Sequence, residues 1–257
     1  MEQPAFNEHR ITAGKSFAMC HNNNISVTGV KFITLALVPY ILSLTVIDKV
    51  MEKLMCKRLC NFLQEYKILY EFQFGFRKHH STILAVTEVL DSIYQHLDRE
   101  EFTIGIFLDL QKAFDTVNHD ILLYKLNNCG VRGVVNQWFK SYLSERRQIT
   151  AIRDSCSEVG SITVGVPQGS VLGPVLFLLY INDICNAIPD TKIKLFADDS
   201  NLFIYDKSIT NLYYRANQSL SQLSKWFLAN KLSLNVDKTC YSIFGSQPYD
   251  SSPINWR

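Results

Sequence analysis

Apolar positions along this 257-residue chain recur with two periods, near 3.6 and at 2, and the switches between them divide it into elements. Ile47, Val50, Met51, Leu54, Met55, Leu59, Phe62, Leu63 and Tyr66 predict an amphipathic helix whose other face carries Lys53, Lys57 and Arg58. Ile83, Leu84, Val86, Leu90, Ile93, Tyr94 and Leu97 predict a second helix that packs as core, with Ser81 or Thr82 as its N-cap. Phe102, Ile104, Ile106 and Leu108 alternate along one face of a strand, and Asp109 closes it on the other face. Helices follow near His119 to Asn128 and over Val134 to Leu143, then β-tending pieces over 146–166 punctuated by Gly160 and Gly165. Val171 to Ile181 reads as a buried helix and Ser208 to Asn230 as a long amphipathic one. Between them, Lys192 to Tyr205 is an apolar run broken once by Asp198 and Asp199, which predicts a hairpin with both aspartates at its tip.

Composition narrows the class. With 47% hydrophobic and 12% aromatic residues the chain can bury a sizeable core and corresponds to one or two domains. A net charge of +2 neither requires nor excludes a nucleic-acid partner, because binding depends on clustered charge. Clusters occur at Lys53, Lys57 and Arg58, at Arg77 to His80, and at Lys140, Arg146 and Arg147; each singly reads equally well as a solvated face. The seven cysteines form no Cys-x-x-Cys pair and have no histidines at zinc spacing, so they read as reduced residues of an intracellular protein, cytoplasmic or nuclear. Residues 1–31 are polar and aperiodic, read as a poorly ordered tail without a secretory signal. Phe32 to Ile47 is interrupted by Pro39 and falls short of a membrane span, and no membrane partner is expected.

The aspartates carry the chemistry. Two adjacent carboxylates among apolar neighbours repel, and a cation or a fixed donor relieves them. Taken alone, Asp-Asp also suits an ordinary solvated turn. If the strand ending at Asp109 neighbours the hairpin, three carboxylates converge into a set of hard oxygen ligands suited to Mg²⁺. A pair of such ions serves nucleotidyl transfer.

Three blocks give that reading a family. Phe107-Leu108-Asp109-Leu110-Gln111-Lys112-Ala113-Phe114-Asp115-Thr116-Val117, Gly165-Val166-Pro167-Gln168-Gly169-Ser170-Val171-Leu172-Gly173-Pro174 and Phe196-Ala197-Asp198-Asp199 resemble, in order and spacing, the reverse transcriptases of non-LTR (LINE-like) retrotransposons. The resemblance runs from Pro39 to Gly245. It implies an α/β (α+β) polymerase palm with an antiparallel sheet and partial fingers, the thumb missing. Residues 32–100 would be fingers, 101–245 palm and 246–257 a C-terminal tail. It implies RNA-directed DNA polymerisation with two Mg²⁺ ions, or Mn²⁺ in their place. The ligands would be Asp109, Asp198, Asp199 and the Leu110 carbonyl, and the partners an RNA template, a DNA primer and deoxynucleoside triphosphates.

On matching positions the resemblance implies that Arg77 faces the triphosphate or template, that Phe114 excludes a 2′-hydroxyl, that Gln168 and Gly169 shape the nucleotide pocket, and that Lys238 lies by the pyrophosphate leaving group. Each has a plain structural counterpart: a loop arginine, a core phenylalanine, a turn with a helix cap, a surface lysine. The chain departs from relatives at Tyr40-Ile41-Leu42, where they carry an Arg-Pro-containing block, and at His79, where most have glycine. These departures leave a second reading, a catalytically silent transposon remnant that at most binds nucleic acid.

Overall fold

The strand read at Phe102–Leu108 is the middle of the molecule. The computed structural model describes residues 7–10, 33–34, 41–144, 146–148, 150–152, 155–167 and 169–245. In chain order these form β1 (Asn7–Arg10), β2 (Ile33–Thr34), α1 (Ile41–Glu65), α2 (Thr82–Leu97), β3 (Phe102–Leu108), α3 (His119–Asn128), α4 (Gly133–Leu143), and the short strands β4 (Arg146–Gln148), β5 (Thr150–Ile152), β6 (Ser155–Cys156) and β7 (Gly160–Ile162). Then come α5 (Gly173–Ile181), a 3₁₀ turn at Asn182–Ala187, β8 (Lys192–Phe196), β9 (Asp199–Asp206), α6 (Ile209–Ala229) and β10 (Cys240–Phe244).

A five-stranded sheet in the order β1-β10-β3-β9-β8 organises them, and every pairing in it is antiparallel. Register assigns the faces. Ile104 lies opposite Ile204 and Ile106 opposite Leu202, so these side chains share one face with Leu195 and Ile243. That face is the core, packed with α3, α5 and α6 through Leu122, Phe177 and Leu220, all buried. Each such aliphatic side chain contributes about 1.5–3 kcal/mol on leaving water.

Alternation continues on the second face, which carries Thr103, Gly105, Phe107, Asn201, Phe203 and Tyr205. It is covered in part by α2: the Ser92 and Tyr205 hydroxyls are 2.7 Å apart, the His96 ring stacks on Tyr205 at 3.5 Å, and Lys194 donates to the Glu88 carbonyl at 2.8 Å. Thus β3 is buried on both sides, although its sequence alternates as a one-sided strand does.

Helix starts follow their caps. The Ser81 hydroxyl accepts from Leu84 N at 3.2 Å, Asn118 from Ile121 N at 3.1 Å, and Gly173 N donates to Ser170 Oγ at 2.9 Å where α5 opens. The expectation for α2 is corrected in one respect. The helix forms, but Ile93 alone is buried; Ile83 (77% exposed), Leu84, Val86, Leu90 and Tyr94 (57% exposed) face outward. Periodicity reports that a helix has an apolar stripe, not what covers it. In the same way α1 starts at Ile41, soon after Pro39, and buries Leu59 and Leu63 while Val50, Met51 and Leu54 stay exposed.

The stretch 1–31, read as a tail, contributes β1, which pairs along the β10 edge from Asn7↔Ile243 to Arg10↔Cys240; its remaining residues, and those of 246–257, lie outside the described residues. Backbone groups on a free sheet edge accept a polar partner strand as readily as an apolar one. No helix among the described residues is long and apolar enough to cross a membrane.

Candidate active site

Two backbone constraints bring the acidic residues together. Hairpin β8–β9 closes at Phe196↔Asp199, so Ala197 and Asp198 make a two-residue turn, with Ala197 at φ +58° as the hairpin geometry requires. The tip is therefore Ala197-Asp198, and Asp199 opens β9, one residue along from the expected Asp198-Asp199 tip. In the second constraint, Leu108 pairs with Ser200. One further step of the register sets Asp109 opposite Asp199 on the second face of the sheet, beside the turn bearing Asp198.

The segment before β10 fixes Asp109 from its other side. Asn235 N donates to the Asp109 carbonyl at 2.8 Å, and Gln111 N to the Ser233 carbonyl at 2.8 Å. Thr239 Oγ1 accepts from Asp109 N at 3.5 Å and donates to the Asn235 carbonyl at 2.8 Å. These bonds flank an antiparallel bridge between Leu110 and Leu234, which turns the N–H and C=O of Leu110 away from residue 234, toward the side on which β9 lies.

Electrostatics register the crowding. Burial, then the charges of Asp198 and Asp109, push the Asp199 carboxyl above its ordinary range, and Lys238 pulls it back. The Lys238 ammonium stands 3.5 Å from Asp109 Oδ2. Among the described residues no three His, Cys, Asp or Glu side chains form a ready-made metal cage. Hard oxygen donors that repel one another fit Mg²⁺ all the same, because this ion is held by one or two carboxylates plus substrate phosphates and water rather than by an all-protein cage.

The residues expected on the nucleotide side form a second group. Phe114 lies tilted against Phe177 with centroids 4.7 Å apart, and edge-on to Phe76 at 6.4 Å. Phe76 is exposed and has φ +50°, a conformation uncommon for an aromatic residue. Arg77 directs Nη1 at the carbonyls of Tyr70 (2.8 Å) and Gln73 (3.1 Å), and burial lowers its pKa. A contact with template or triphosphate must therefore use the other edge of that guanidinium. Gly169 has φ +78° and open space where a Cβ would stand. Gln168 lies outside the described residues. The Gly165 loop is tied down by Gly165 N donating to Val117 O (2.7 Å) and Val166 N to Phe114 O (2.8 Å), with His119 Nε2 2.7 Å from the Gly165 carbonyl.

Reading residues alone missed Asn235, Thr239 and His119, since hydrogen bonds across so many positions leave no local pattern. It also missed Gln73. The alternation Phe72-Gln73-Phe74 was its only signal, and these residues do run extended beside β8, with Gln73 in a parallel bridge to Leu195.

An antiparallel sheet that presents acidic side chains on adjoining strand ends of one face, with helices packed behind the other, is the palm of a nucleotide polymerase. Residues 39–256 match the family model of reverse transcriptases (RNA-dependent DNA polymerases), and the chain belongs to that family, as a reverse transcriptase domain homologous to the RNA-directed DNA polymerases of non-LTR retrotransposons. A probable RNA-directed DNA polymerase from transposon BS of Drosophila melanogaster is 36% identical over 225 residues, 82% of this chain and 24% of that protein. The RNA-directed DNA polymerase from mobile element jockey of the same species is 31% identical over 211 residues, 78% of this chain and 23% of that protein. The chain thus spans about a quarter of the length of these curated relatives. Among solved structures, telomerase from Candida albicans in complex with a fragment of telomeric RNA superposes with a TM-score of 0.54 at 16% identity, over 72% of this chain and 34% of that one. Apo telomerase from Candida tropicalis gives 0.54 at 11%, over 75% and 36%. At these identities the likeness is one of fold.

Proposed function

We propose that the chain carries out RNA-directed DNA polymerisation, extending a DNA primer on an RNA template from deoxynucleoside triphosphates, with residues 32–100 as fingers and 101–245 as palm. The observation that carries this reading is the register setting Asp109 opposite Asp199 beside the Asp198 turn, where burial and then the charges of Asp198 and Asp109 raise the Asp199 carboxyl. Asp109, Asp198, Asp199 and the Leu110 carbonyl would hold two Mg²⁺ ions, with Mn²⁺ as a substitute, which would supply activation of the primer 3′-hydroxyl and neutralisation of the triphosphate.

The chain's own groups do the rest. Phe114, held between Phe177 and Phe76, lies under the sugar and leaves no room for a 2′-oxygen. Lys238, beside Asp109, protonates or neutralises the departing pyrophosphate. Arg77, through its free edge, and the Gln168-Gly169 turn bound the triphosphate and templating base. Phosphate contacts from these cations make binding weaken with salt.

Primer extension on an RNA template with Mg²⁺ tests the proposal. Product that disappears in Asp198→Ala is expected. A folded sample that yields none overturns it in favour of a silent remnant.

A further inference from the structure

The fingers loop and the aspartate hairpin meet at a contact that the chemistry above does not use. Phe74 N donates to the Leu195 carbonyl at 2.8 Å and Leu195 N to the Phe72 carbonyl at 2.9 Å, so residues 72–74 extend the sheet past β8. Between these two bonds Gln73 turns inward and is 1% exposed. Its Oε1 accepts from Gly75 N at 2.8 Å and from Ala197 N at 3.1 Å. Two amide donors converge on one atom, so that atom is the oxygen. The side-chain Nε2 is buried and has no hydrogen-bond partner among the described residues. Leaving a buried amide half satisfied is costly, so the site is specialised for the acceptor.

What Oε1 holds is the strained residue of the catalytic turn. Ala197 has φ +58°, a region unfavourable for a residue with a Cβ, and it directly precedes Asp198. A Cβ on Gly75 would overlap the Ala197 backbone, so the loop and the turn lie in direct contact.

We infer that Gln73 is a positioning residue: it pins the Ala197 amide and thereby holds the Asp198 and Asp199 carboxylates in place. The same loop continues into Phe76, against Phe114, and Arg77, so one loop touches both the nucleotide side and the aspartate side. The inference rests on the polymerase reading only in assigning the carboxylates to catalysis.

The test compares the full chain with Gln73→Met, similar in volume but unable to accept from either amide. Two measurements are read. The Mg²⁺ concentration for half-maximal primer extension is expected to rise about tenfold while primer–template affinity holds, because the ligands are displaced and the duplex contacts are not. Hydrogen exchange of the peptide spanning residues 195–201 is expected to quicken by a similar factor while peptides from α5 and α6 stay protected.

An unchanged Mg²⁺ requirement with unchanged exchange overturns the inference and leaves the polymerase reading standing. Exchange that rises equally everywhere also overturns it, as general destabilisation. If no sample extends primers, wild type included, the polymerase reading falls and local exchange alone decides the inference. Should Q73M fail to fold, Gln73→Asn, one methylene too short to reach Ala197, makes the same comparison.

Discussion

Gly75→Ala is the sharpest single perturbation of this junction. A methyl group there overlaps the Ala197 amide nitrogen and stands 2.9 Å from its Cα and 3.0 Å from its Cβ. All three are backbone or Cβ atoms that cannot swing aside, so relief requires the two segments to part by about 1 Å. That movement takes the 2.8 and 2.9 Å bonds between residues 72–74 and Leu195, and the 3.1 Å bond from Ala197 to Gln73, beyond useful range. Three bonds at about 1 kcal/mol each amount to about 3 kcal/mol, to be set against a total stability of about 5–15 kcal/mol for an ordinary domain. Urea unfolding measures this directly: the midpoint falls while the slope stays constant. Gly169→Ala serves as the control, since it meets only open space at φ +78° and costs about 1 kcal/mol of conformational strain. If G75A unfolds no earlier than G169A, the close approach does not hold the loop against the hairpin, and the reasoning is refuted.

Three further expectations concern Phe114 and the core. If Phe114 lies under the sugar as proposed, Phe114→Ala opens that space, and a preference for deoxynucleotides over ribonucleotides, read as a ratio of kcat/KM values, should fall by about 5–150-fold for a lost steric penalty of about 1–3 kcal/mol; an unchanged ratio removes Phe114 from that role. Lys125 lies over the Tyr180 and Trp226 rings at 5.0 and 4.8 Å and donates to Asp183 at 2.6 Å, and burial lowers its pKa from the ordinary 10.5. The folded protein therefore releases that proton more readily than the unfolded chain does. Wild-type stability should gain relative to Lys125→Met as pH rises from the lowered value toward 10.5, and this gain, read by chemical unfolding at successive alkaline pH values, vanishes if the amine is not desolvated. Lys125→Ala should cost about 2–4 kcal/mol more than the methionine variant, because it also empties the space between the rings.

How far the residues alone foretell this depends on range. The strand ending at Asp109 and the apolar run split by Asp198 and Asp199 are legible because their information is local: alternation, and a charge where the alternation stops. The turn was read one residue off because composition marks a turn but cross-strand pairing sets its register, and Phe196↔Asp199 is a tertiary fact. The helix Thr82–Leu97 was read correctly as a helix and wrongly as core, since Ile83 and Tyr94 are outward in this fold. Lys194, buried against Glu88, gave no sign at all, and Gln73, buried against the hairpin, gave only the alternation of its neighbours. A polar side chain shows its burial only through the partners that fold up around it.

The clamp on Asp109 has a consequence for how the molecule comes into being. The hydroxyl that receives its amide belongs to a residue 130 positions further on, and the amide that caps its carbonyl belongs to Asn235. A ribosome-bound chain that has emerged only through β9 already has all three aspartates and still lacks the segment that seats the first. The seat of Asp109 thus forms only once the segment leading into β10 has docked, and fragments ending before it should fold their hairpin yet leave that residue unheld.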